Sequence, residues 1–349
     1  MRVIVTGAAG FIGSNFVDYL LEHYPEHSVT GLDKLTYAGI PANLEQARRH
    51  ANFTFVQGDI CDEHLVGRLA SQHDAIVNFA AESHIDRSIR EPGAFVRTDV
   101  VGAYVLLEAS KRYDHRRFIQ ISTSEVYGDA RSPEGESRPS KETDPLMPLS
   151  PYAGSKAGAD RLAFSYWATY RLPVVVSRCT NNYGPRQYPE KVIPLYITNA
   201  LAHRPLPVYG DGSSTREWLH VRDHCSALDA MLHSDTDVAG KSVLGEVFNV
   251  GGGVERSALE VAHAILDLLG KPRDLVRFVP DRKGHVPRIA IDPTKIGGAF
   301  GWHPSVDFET GFRDTVQWYV QNPQWIQQVQ SHADSWLQSA MASYDKAAV

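Results

Sequence analysis

Residues 2–13 of the chain read RVIVTGAAGFIG, and this stretch decides the fold. A short run of β-branched residues leads into Gly7, Gly10 and Gly13 at the spacing GxxGxxG, and a helical pattern follows. Glycines in such a turn let the backbone bend sharply and approach a pyrophosphate at the positive end of the helix. Asp33 ends the next predicted strand, where a carboxylate can accept hydrogen bonds from both ribose hydroxyls.

The strand, the glycines and the acid together predict a dinucleotide site. Because a carboxylate at Asp33 repels a 2′-phosphate, the pattern favours NAD over NADP, although Lys34 beside it works against that preference. Asp59 and Ile60 follow the third predicted strand, where the edge of an adenine can be held. The residues predicted to bind the cofactor are Gly7, Gly10, Phe11, Ile12, Gly13, Asp33, Asp59, Ile60, Tyr152 and Lys156.

The first half of the chain alternates β-branched runs with helical patterns, which is typical of βα units around a parallel sheet. Residues 74–81, DAIVNFAA, are apolar on both faces, as a strand covered by helices on each side must be. We therefore predict an α/β fold with a Rossmann-type, doubly wound parallel sheet and a smaller C-terminal substrate lobe. The predicted helices are 11–23, 94–112 and 152–170. The predicted divisions are a cofactor domain 1–179 with a return near 225–250, a substrate lobe 180–224 and 251–335, and a tail 336–349.

The 349 residues are 43% hydrophobic and carry a net charge of -6, without long runs of either sign. Nucleic-acid and anionic-membrane binding are disfavoured, because both need a basic patch. No apolar run approaches the ~18 residues that span a bilayer, and no leader pattern is present, so we expect a cytoplasmic protein. Cys61, Cys179 and Cys225 lack CxxC spacing, and His220 and His224 have no third ligand nearby, so we expect neither disulfides nor a metal.

Tyr152 and Lys156 form a YxxxK pair at i, i+4, so that phenol and ammonium share one helix face. A phenol with a pKa of about 10 is a poor base at neutral pH. A neighbouring ammonium and a positive nicotinamide favour the phenolate. We therefore predict that Tyr152 removes a proton from a substrate hydroxyl, beside Ser122 and Thr123 at the end of a strand.

With these motifs the chain resembles the extended short-chain dehydrogenase/reductase superfamily, and in particular its nucleotide-sugar-modifying members. Most of it is similar to the dTDP-glucose 4,6-dehydratases, in LDKLTYAG (32–39), AAESHIDRSI (80–89), SPYAGSKAGAD (150–160), RCTNNYGPRQYPEKVIP (178–194), LPVYGDGSSTREWLHVRDH (206–224) and DRKGH (281–285). The resemblance implies bound NAD, a nucleotide-sugar lobe and a homodimer formed through helices. It also implies substrate contacts from His84, Asn182, Lys191, Arg216, Asn249, Arg282 and His285.

One motif departs from that family. The chain has Thr123-Ser124-Glu125 where these dehydratases carry Thr-Asp-Glu. The resemblance implies that C4 of the hexose is oxidised, that the Glu removes the C5 proton and that the Asp protonates the departing C6 hydroxyl. Ser124 cannot be that acid, and a positioned general acid is worth roughly 10²–10⁴ in rate. The stretch STSEVYGD is instead similar to the motif of nucleotide-sugar glucuronate decarboxylases.

Oxidation at C4 of a glucuronosyl nucleotide gives a β-keto acid, which loses carbon dioxide without an acid for a leaving hydroxyl. We therefore predict an NAD-dependent decarboxylase of UDP- or dTDP-glucuronate that yields a 4-keto-pentose or xylose nucleotide. In this prediction Thr123 binds the C4 oxygen, Tyr152 is the base and Lys156 tunes it. Ser124 and Glu125 position the sugar, and Arg186 in YGPR is a candidate partner for the substrate carboxylate or phosphate.

Three alternatives stay open at this point. The first is a 4,6-dehydratase that uses water or Glu125 alone as the acid. The second is a 4-epimerase, which needs only a Thr or Ser, the Tyr and the Lys. The third is a catalytically silent NAD-binding protein, although such a protein has no use for the retained Thr123, Glu125, Tyr152 and Lys156.

Overall fold

The structure is a computed structural model, which describes residues 1–130, 137–281 and 285–331. Its strands are β1 (Arg2–Thr6), β2 (Ser28–Asp33), β3 (Phe53–Gln57), β4 (Ala75–Asn78), β5 (Arg117–Thr123), β6 (Val174–Cys179), β7 (Asn181–Tyr183), β8 (Leu206–Tyr209), β9 (Thr215–His220), β10 (Val247–Val250), β11 (Val254–Ser257), β12 (Val276–Val279) and β13 (Arg288–Ile289). Its helices are α1 (Phe11–His23), α2 (Glu63–Ala70), α3 (Ile85–Arg90), α4 (Pro92–Phe95), α5 (Ala103–Arg112), α6 (Pro151–Tyr170), α7 (Val192–Leu201), α8 (Val221–His233), α9 (Ala258–Leu269), α10 (Thr294–Phe300), α11 (Phe308–Gln321) and α12 (Pro323–Ser331).

Seven parallel strands form the central sheet, in the order β10-β6-β5-β4-β1-β2-β3. The side chains of β1 alternate between two cores: Val3 and Val5 pack with α1 and α8, whereas Ile4 packs with α2, α5 and α6. Helices therefore cover both faces, which confirms the predicted doubly wound α/β class. The strand order reverses between β1 and β4, and in such sheets ligands bind in the crevice outside the carboxyl ends of the strands.

A second core lies beside the sheet. It is built from α7, α9, α11 and α12 together with short strands, among them β8 and β9. β9 pairs with β11, β13 and β7, and β8 pairs with β12. Because β10 rejoins the central sheet beside β6, the chain crosses between the two cores more than once. The domain boundaries drawn from the sequence stay a prediction, and the proposed tail 336–349 lies outside the described residues.

The predicted helix 94–112 has an irregular turn in its first half. After α4 the backbone follows a π-helical path over Val96–Gly102 before α5 begins. Gly102 packs closely there, since a Cβ atom on it would lie 2.3 Å from Cδ1 of Ile60. Apolar spacing marks the helix but does not distinguish a wide turn from a regular one. Within the described ranges, no helix is both long and apolar enough to cross a membrane.

A buried ion pair ties helix α6 to strand β6. The Arg178 guanidinium donates to both oxygens of Asp160, at 2.8 and 2.9 Å, and the two side chains are 1% and 0% exposed. Arg178 also donates to the hydroxyl of Tyr127 at 2.8 Å. Breaking a buried pair is costly, because the remaining charge has no partner and no water.

We predict that Asp160→Asn lowers the free energy of unfolding by about 3 kcal/mol, measured by urea denaturation. The matched control is Asp144→Asn, which removes a carboxylate paired with the largely exposed Arg138. That control should cost no more than about 1 kcal/mol. Equal losses in the two variants would show that burial of the Arg178 pair adds nothing to stability.

Candidate active site

A cavity of about 470 Å³ opens at the carboxyl ends of the central strands. Its wall comes from the ends of β1, β2, β4, β5 and β6, from the start of α6, and from β9 in the second core. The structure brings most of the predicted site residues to this wall. They are Gly7, Gly10, Phe11, Ile12, Gly13, Asp33, Asp59, Ile60, His84, Thr123, Glu125, Tyr152, Lys156, Asn182, Lys191, Arg216 and His285.

The turn between β1 and α1 has no room for side chains at two of its glycines. Gly7 has a φ of +64°, and a Cβ atom on it would lie 2.8 Å from the backbone nitrogen of Ala80. A Cβ atom on Gly13 would lie 2.2 Å from the carbonyl oxygen of Gly7. The helix begins after Gly10 without a side-chain cap, so its first N–H groups can point at an anion. This cradle fits the pyrophosphate of a dinucleotide.

The carboxylate of Asp33 is held in place by two backbone N–H groups. Its two carboxylate oxygens accept hydrogen bonds from the backbone N–H groups of Ala9 and Leu35, at 2.9 and 2.7 Å. Burial raises the pKa of Asp33, and these backbone donors oppose that effect. Lys34 does not turn toward it but pairs with Asp59 at 2.8 Å. Since Asp59 offsets the positive charge of Lys34, a 2′-phosphate finds a carboxylate here rather than an available cation, which favours NAD.

Helix α6 presents Tyr152 and Lys156 to the cavity. The helix begins at Pro151, after Ser150 accepts a capping hydrogen bond from the N–H of Ala153. Lys156 is 4% exposed, and its Nζ donates to the carbonyl oxygen of Ile121 at 2.5 Å. Burial lowers the pKa of this ammonium.

Burial acts in the opposite sense on the phenol of Tyr152 and raises its pKa, whereas a hydrogen bond with Thr123 lowers it. Phenolate formation at neutral pH therefore needs further positive charge, which a bound nicotinamide cation would add.

The turn after β5 places the neighbouring side chains of Ser124 and Glu125 in different surroundings. Thr123 accepts a hydrogen bond from the N–H of Glu125 at 3.2 Å and starts a short 3-10 turn over Ser124–Tyr127. Glu125 is partly exposed and lines the cavity. Ser124 is 1% exposed, does not line the cavity, and its hydroxyl is buried without a hydrogen-bond partner among the described residues. The predicted catalytic role of Ser124 therefore has no support from its position.

Two predicted substrate contacts lie away from the cavity wall. Arg186 ion-pairs with Asp18 at 2.5 Å and donates to the carbonyl oxygen of Asn43, because its turn directs the side chain toward α1. Asn249 is fully buried and accepts a hydrogen bond from the Tyr127 hydroxyl at 2.7 Å. Both side chains are engaged in holding segments of the protein together. Arg282 lies outside the described residues.

Asn182 is positioned by a buried histidine. Its Oδ1 lies 3.0 Å from Nδ1 of His224, and its Nδ2 donates to the carbonyl oxygen of Thr180. Burial lowers the pKa of His224 to about 3, so this ring is neutral. In the part of the chain that the structure describes, no group of three or more His, Cys, Asp and Glu side chains could hold a metal ion.

Sequence reasoning missed several residues of the wall. Glu82 and Glu190 line the cavity, and Glu190 ion-pairs with Arg87 at 3.1 Å. Both acids stand within two residues of a predicted contact, in AAESH and PEK, so the same motifs contained the signal. Cys179 also lines the cavity, and burial raises the pKa of its thiol to about 11, so it is a neutral thiol.

The glycine cradle, the carboxylate at the end of β2 and the Tyr152–Lys156 pair beside β5 define an extended short-chain dehydrogenase/reductase of the nucleotide-sugar branch. The chain belongs to the GDP-mannose 4,6 dehydratase family, whose family model matches residues 4–315.

Individual relatives agree with this assignment. A dTDP-glucose 4,6-dehydratase from Streptomyces niveus is 49% identical over 335 residues, which cover 95% of this chain and 96% of the relative. The structure of DesIV, the dTDP-glucose 4,6-dehydratase of Streptomyces venezuelae, is 45% identical and matches with a TM-score of 0.88 over 93% of this chain and 98% of that one.

The dTDP-glucose 4,6-dehydratase of Bacillus anthracis matches with a TM-score of 0.85 at 45% identity, over 94% of this chain and 99% of that one. Both solved structures hold NAD, in agreement with the cofactor predicted from the sequence.

We predict that Gly13→Ala weakens NAD binding at least tenfold, because its Cβ atom would collide with the Gly7 carbonyl oxygen and push the turn out of shape. Isothermal titration calorimetry measures the change, and tenfold corresponds to about 1.4 kcal/mol. Gly298→Ala is the matched control, since a Cβ atom there meets nothing within 4 Å. Unchanged affinity in Gly13→Ala would mean that this turn does not hold the cofactor.

Proposed function

We propose that this chain is an NAD-dependent 4,6-dehydratase of a nucleoside diphosphate hexose, with dTDP-glucose as the first candidate substrate. The observation that carries the proposal is the position of Glu125, which lines the cavity with Thr123 and Tyr152 while Ser124 does not. The 49% identity to the dTDP-glucose 4,6-dehydratase of Streptomyces niveus supports it. The proposal takes up the alternative in which Glu125 works alone, in preference to the decarboxylase that the motif STSEVYGD predicted.

The first step removes one hydrogen from C4 and one from the C4 hydroxyl. Bound NAD would accept the hydride that leaves C4 and would later return it to C6. Tyr152 as phenolate takes the proton of the C4 hydroxyl, and Thr123 donates a hydrogen bond to the C4 oxygen. Lys156 favours the phenolate through its positive charge. The product of this step is a 4-keto sugar.

The ketone acidifies the C5 proton, which the Glu125 carboxylate removes. Glu125 then carries one proton, and it delivers that proton to the C6 hydroxyl as the C6–O bond breaks and water leaves. The C5 electron pair forms the C5–C6 double bond. Return of the hydride to C6 and of a proton from solvent to C5 gives a 4-keto-6-deoxy sugar, and Tyr152 releases to solvent the proton that it took from the C4 hydroxyl. One carboxylate acts first as base and then as acid, so a second acid at position 124 is not required.

The charges of the wall favour a neutral sugar over a glucuronate. Glu82 and Glu125 line the cavity that Tyr152 faces, together with Glu190, whose charge is paired with Arg87. A substrate carboxylate at C6 would meet like charges there. Arg186, the predicted partner for it, is paired with Asp18 instead.

The decarboxylase prediction thus loses its proposed carboxylate contact. A 4-epimerase or a silent NAD-binding protein leaves Glu125 without a role.

We assign the nucleotide diphosphate to the side of the cavity formed by the second core. Arg216 on β9, Lys191 at the start of α7 and His285 line it, together with the amide of Asn182. Cations and amide donors suit the oxygens of a pyrophosphate.

We predict that purified protein with NAD converts dTDP-glucose to a product lighter by one water, as measured by mass spectrometry. UDP-glucuronate, in a parallel incubation, should keep its carboxylate, because the acidic wall disfavours its binding. Release of carbon dioxide from the glucuronate, with dTDP-glucose untouched, would restore the decarboxylase prediction.

Two variants in the same assay locate the acid. Glu125→Gln should slow water loss by roughly 10²–10⁴ while NADH still forms at C4 oxidation. Ser124→Ala should keep its rate within about a factor of five, a change of about 1 kcal/mol, because its hydroxyl lies outside the cavity. A loss in Ser124→Ala as large as that in Glu125→Gln would contradict a single-carboxylate mechanism.

We also propose that the chain forms a homodimer through its helices α5 and α6. Large apolar side chains are exposed on these helices and on the adjoining π-helical segment: Val96 (52%), Val101 (44%), Tyr104 (45%) and Phe164 (37%). These elements pack against one another, and exposed large apolar side chains on neighbouring helices are typical of a protein interface.

Light scattering should find a dimer for the wild type and a monomer for the double variant Tyr104→Glu, Phe164→Glu. Val238→Glu is the control, because Val238 is apolar and 75% exposed but lies on neither helix. A monomeric wild type at micromolar concentration would refute the homodimer.

A further inference from the structure

Asp99 is a buried carboxylate that the mechanism above does not use. It lies in the π-helical segment Val96–Gly102 and is 2% exposed. Segments of π-helix are rare, and they are frequent at functional sites. One oxygen of Asp99 accepts a hydrogen bond from the hydroxyl of Ser155 at 2.6 Å, and the other accepts from the backbone N–H of Glu82 at 2.9 Å.

These two contacts join opposite sides of the active site. Ser155 lies on α6 between Tyr152 and Lys156. Glu82 belongs to the loop after β4, which lines the cavity. Asp99 therefore links the catalytic helix to the cavity loop from behind the wall, without lining the cavity itself.

The hydrogen bonds of Asp99 do not by themselves require a charge. An amide in its place would accept from the N–H of Glu82 through its oxygen and donate to the Ser155 hydroxyl through its nitrogen. That hydroxyl would then donate to the carbonyl oxygen of Tyr152, which already lies at 2.8 Å. Burying a carboxylate at this position costs more desolvation free energy than burying an amide. Hydrogen bonding alone therefore does not explain why the residue is an aspartate.

We propose that Asp99 is a positioning residue whose buried negative charge serves as counter-charge to the Lys156 ammonium, while its hydrogen bonds align α6 with the cavity loop. The inference rests on the proposed part of Tyr152 and Lys156 in C4 oxidation, and not on the later loss of water. Asp99 touches neither substrate nor cofactor and acts through the pair on α6.

The surrounding ionisable groups fix the direction of the effect. Burial lowers the pKa of Lys156, and the charges of Asp99 and Asp160 raise it. Burial raises the pKa of Tyr152, and the charges of Asp99 and Glu125 raise it further.

The pKa of Asp99 is shifted as well. Burial raises its pKa to about 6, against the lowering effect of Lys156, and the charge of Glu82 adds to the rise. Above about pH 6 one anion therefore raises the pKa values of both members of the catalytic pair.

The test is the pH profile of NADH formation in Asp99→Asn. The acid limb reports deprotonation of Tyr152 and the alkaline limb reports loss of the Lys156 proton. Removal of the anion lowers both pKa values, so both limbs should move to lower pH by about one pH unit. Below about pH 6, where Asp99 is neutral in the wild type, the two profiles should converge.

Ser155→Ala is the matched control. It removes the same hydrogen bond but keeps the carboxylate, so its limbs should stay in place whatever happens to its maximal rate. If both limbs of the Asp99→Asn profile also stay in place, the counter-charge role of Asp99 is refuted. It is equally refuted if the limbs of the Ser155→Ala profile move as far as those of Asp99→Asn.

A second readout needs neither substrate nor turnover. Carbon-13 at Cε of lysine, with Lys156 assigned by its loss in Lys156→Met, should titrate at lower pH in Asp99→Asn than in the wild type. If Asp99→Asn does not fold, the wild-type Lys156 resonance should still show a second inflection near pH 6 as Asp99 ionises. A Lys156 resonance without that inflection, or unmoved in the variant, refutes the proposal.

The choice of assay substrate distinguishes failure of this inference from failure of the proposed function. A 6-deoxy sugar nucleotide lacks the C6 hydroxyl, so it can be oxidised at C4 but cannot lose water. A protein that oxidises it but does not dehydrate dTDP-glucose would fail the proposed function and still test Asp99. A protein that oxidises neither would leave the lysine titration to decide.

Discussion

The buried ammonium of Lys156 is the constraint on which the active-site geometry depends. Moving an ammonium out of water costs several kcal/mol, so the surrounding groups must compensate it. The Ile121 carbonyl oxygen at 2.5 Å does so directly, and that contact sets the distance between α6 and the end of β5. Since Thr123 follows two residues later on β5 and Tyr152 lies one turn earlier on α6, the same contact places both at the cavity wall.

The order of elements was predictable because local chemistry and long-range packing agree there. The glycines after β1 and the helical pattern after them gave α1 at Phe11–His23, as predicted. The apolar run 74–81 contains β4, which is covered on both faces. The predicted helix 94–112 was right as a helical region but concealed a π-helical segment. Gly102 in that segment packs closely against Ile60, a contact that residue spacing along one helix does not encode.

The candidate site shows more clearly what sequence motifs cannot predict. A motif gives the position of a residue along the chain, whereas its role depends on the direction of its side chain. Ser124 and Glu125 are neighbours after β5, yet only Glu125 lines the cavity. Arg186 was assigned to the substrate for its charge, and Asp18, distant in sequence, holds that charge elsewhere. Contacts between segments so far apart in the chain were beyond the reach of the motifs.

The charged side chains of the cavity wall differ between its two sides. The second core supplies Arg216, Arg256 and His285 to the wall, whereas the side of the central sheet carries both the Glu125 carboxylate and the Lys156 ammonium. A nucleoside diphosphate sugar has the matching asymmetry, with its charges on the diphosphate and none on the hexose. Under the proposed function, the cations of the second core bind the diphosphate, and the uncharged hexose then lies toward Tyr152.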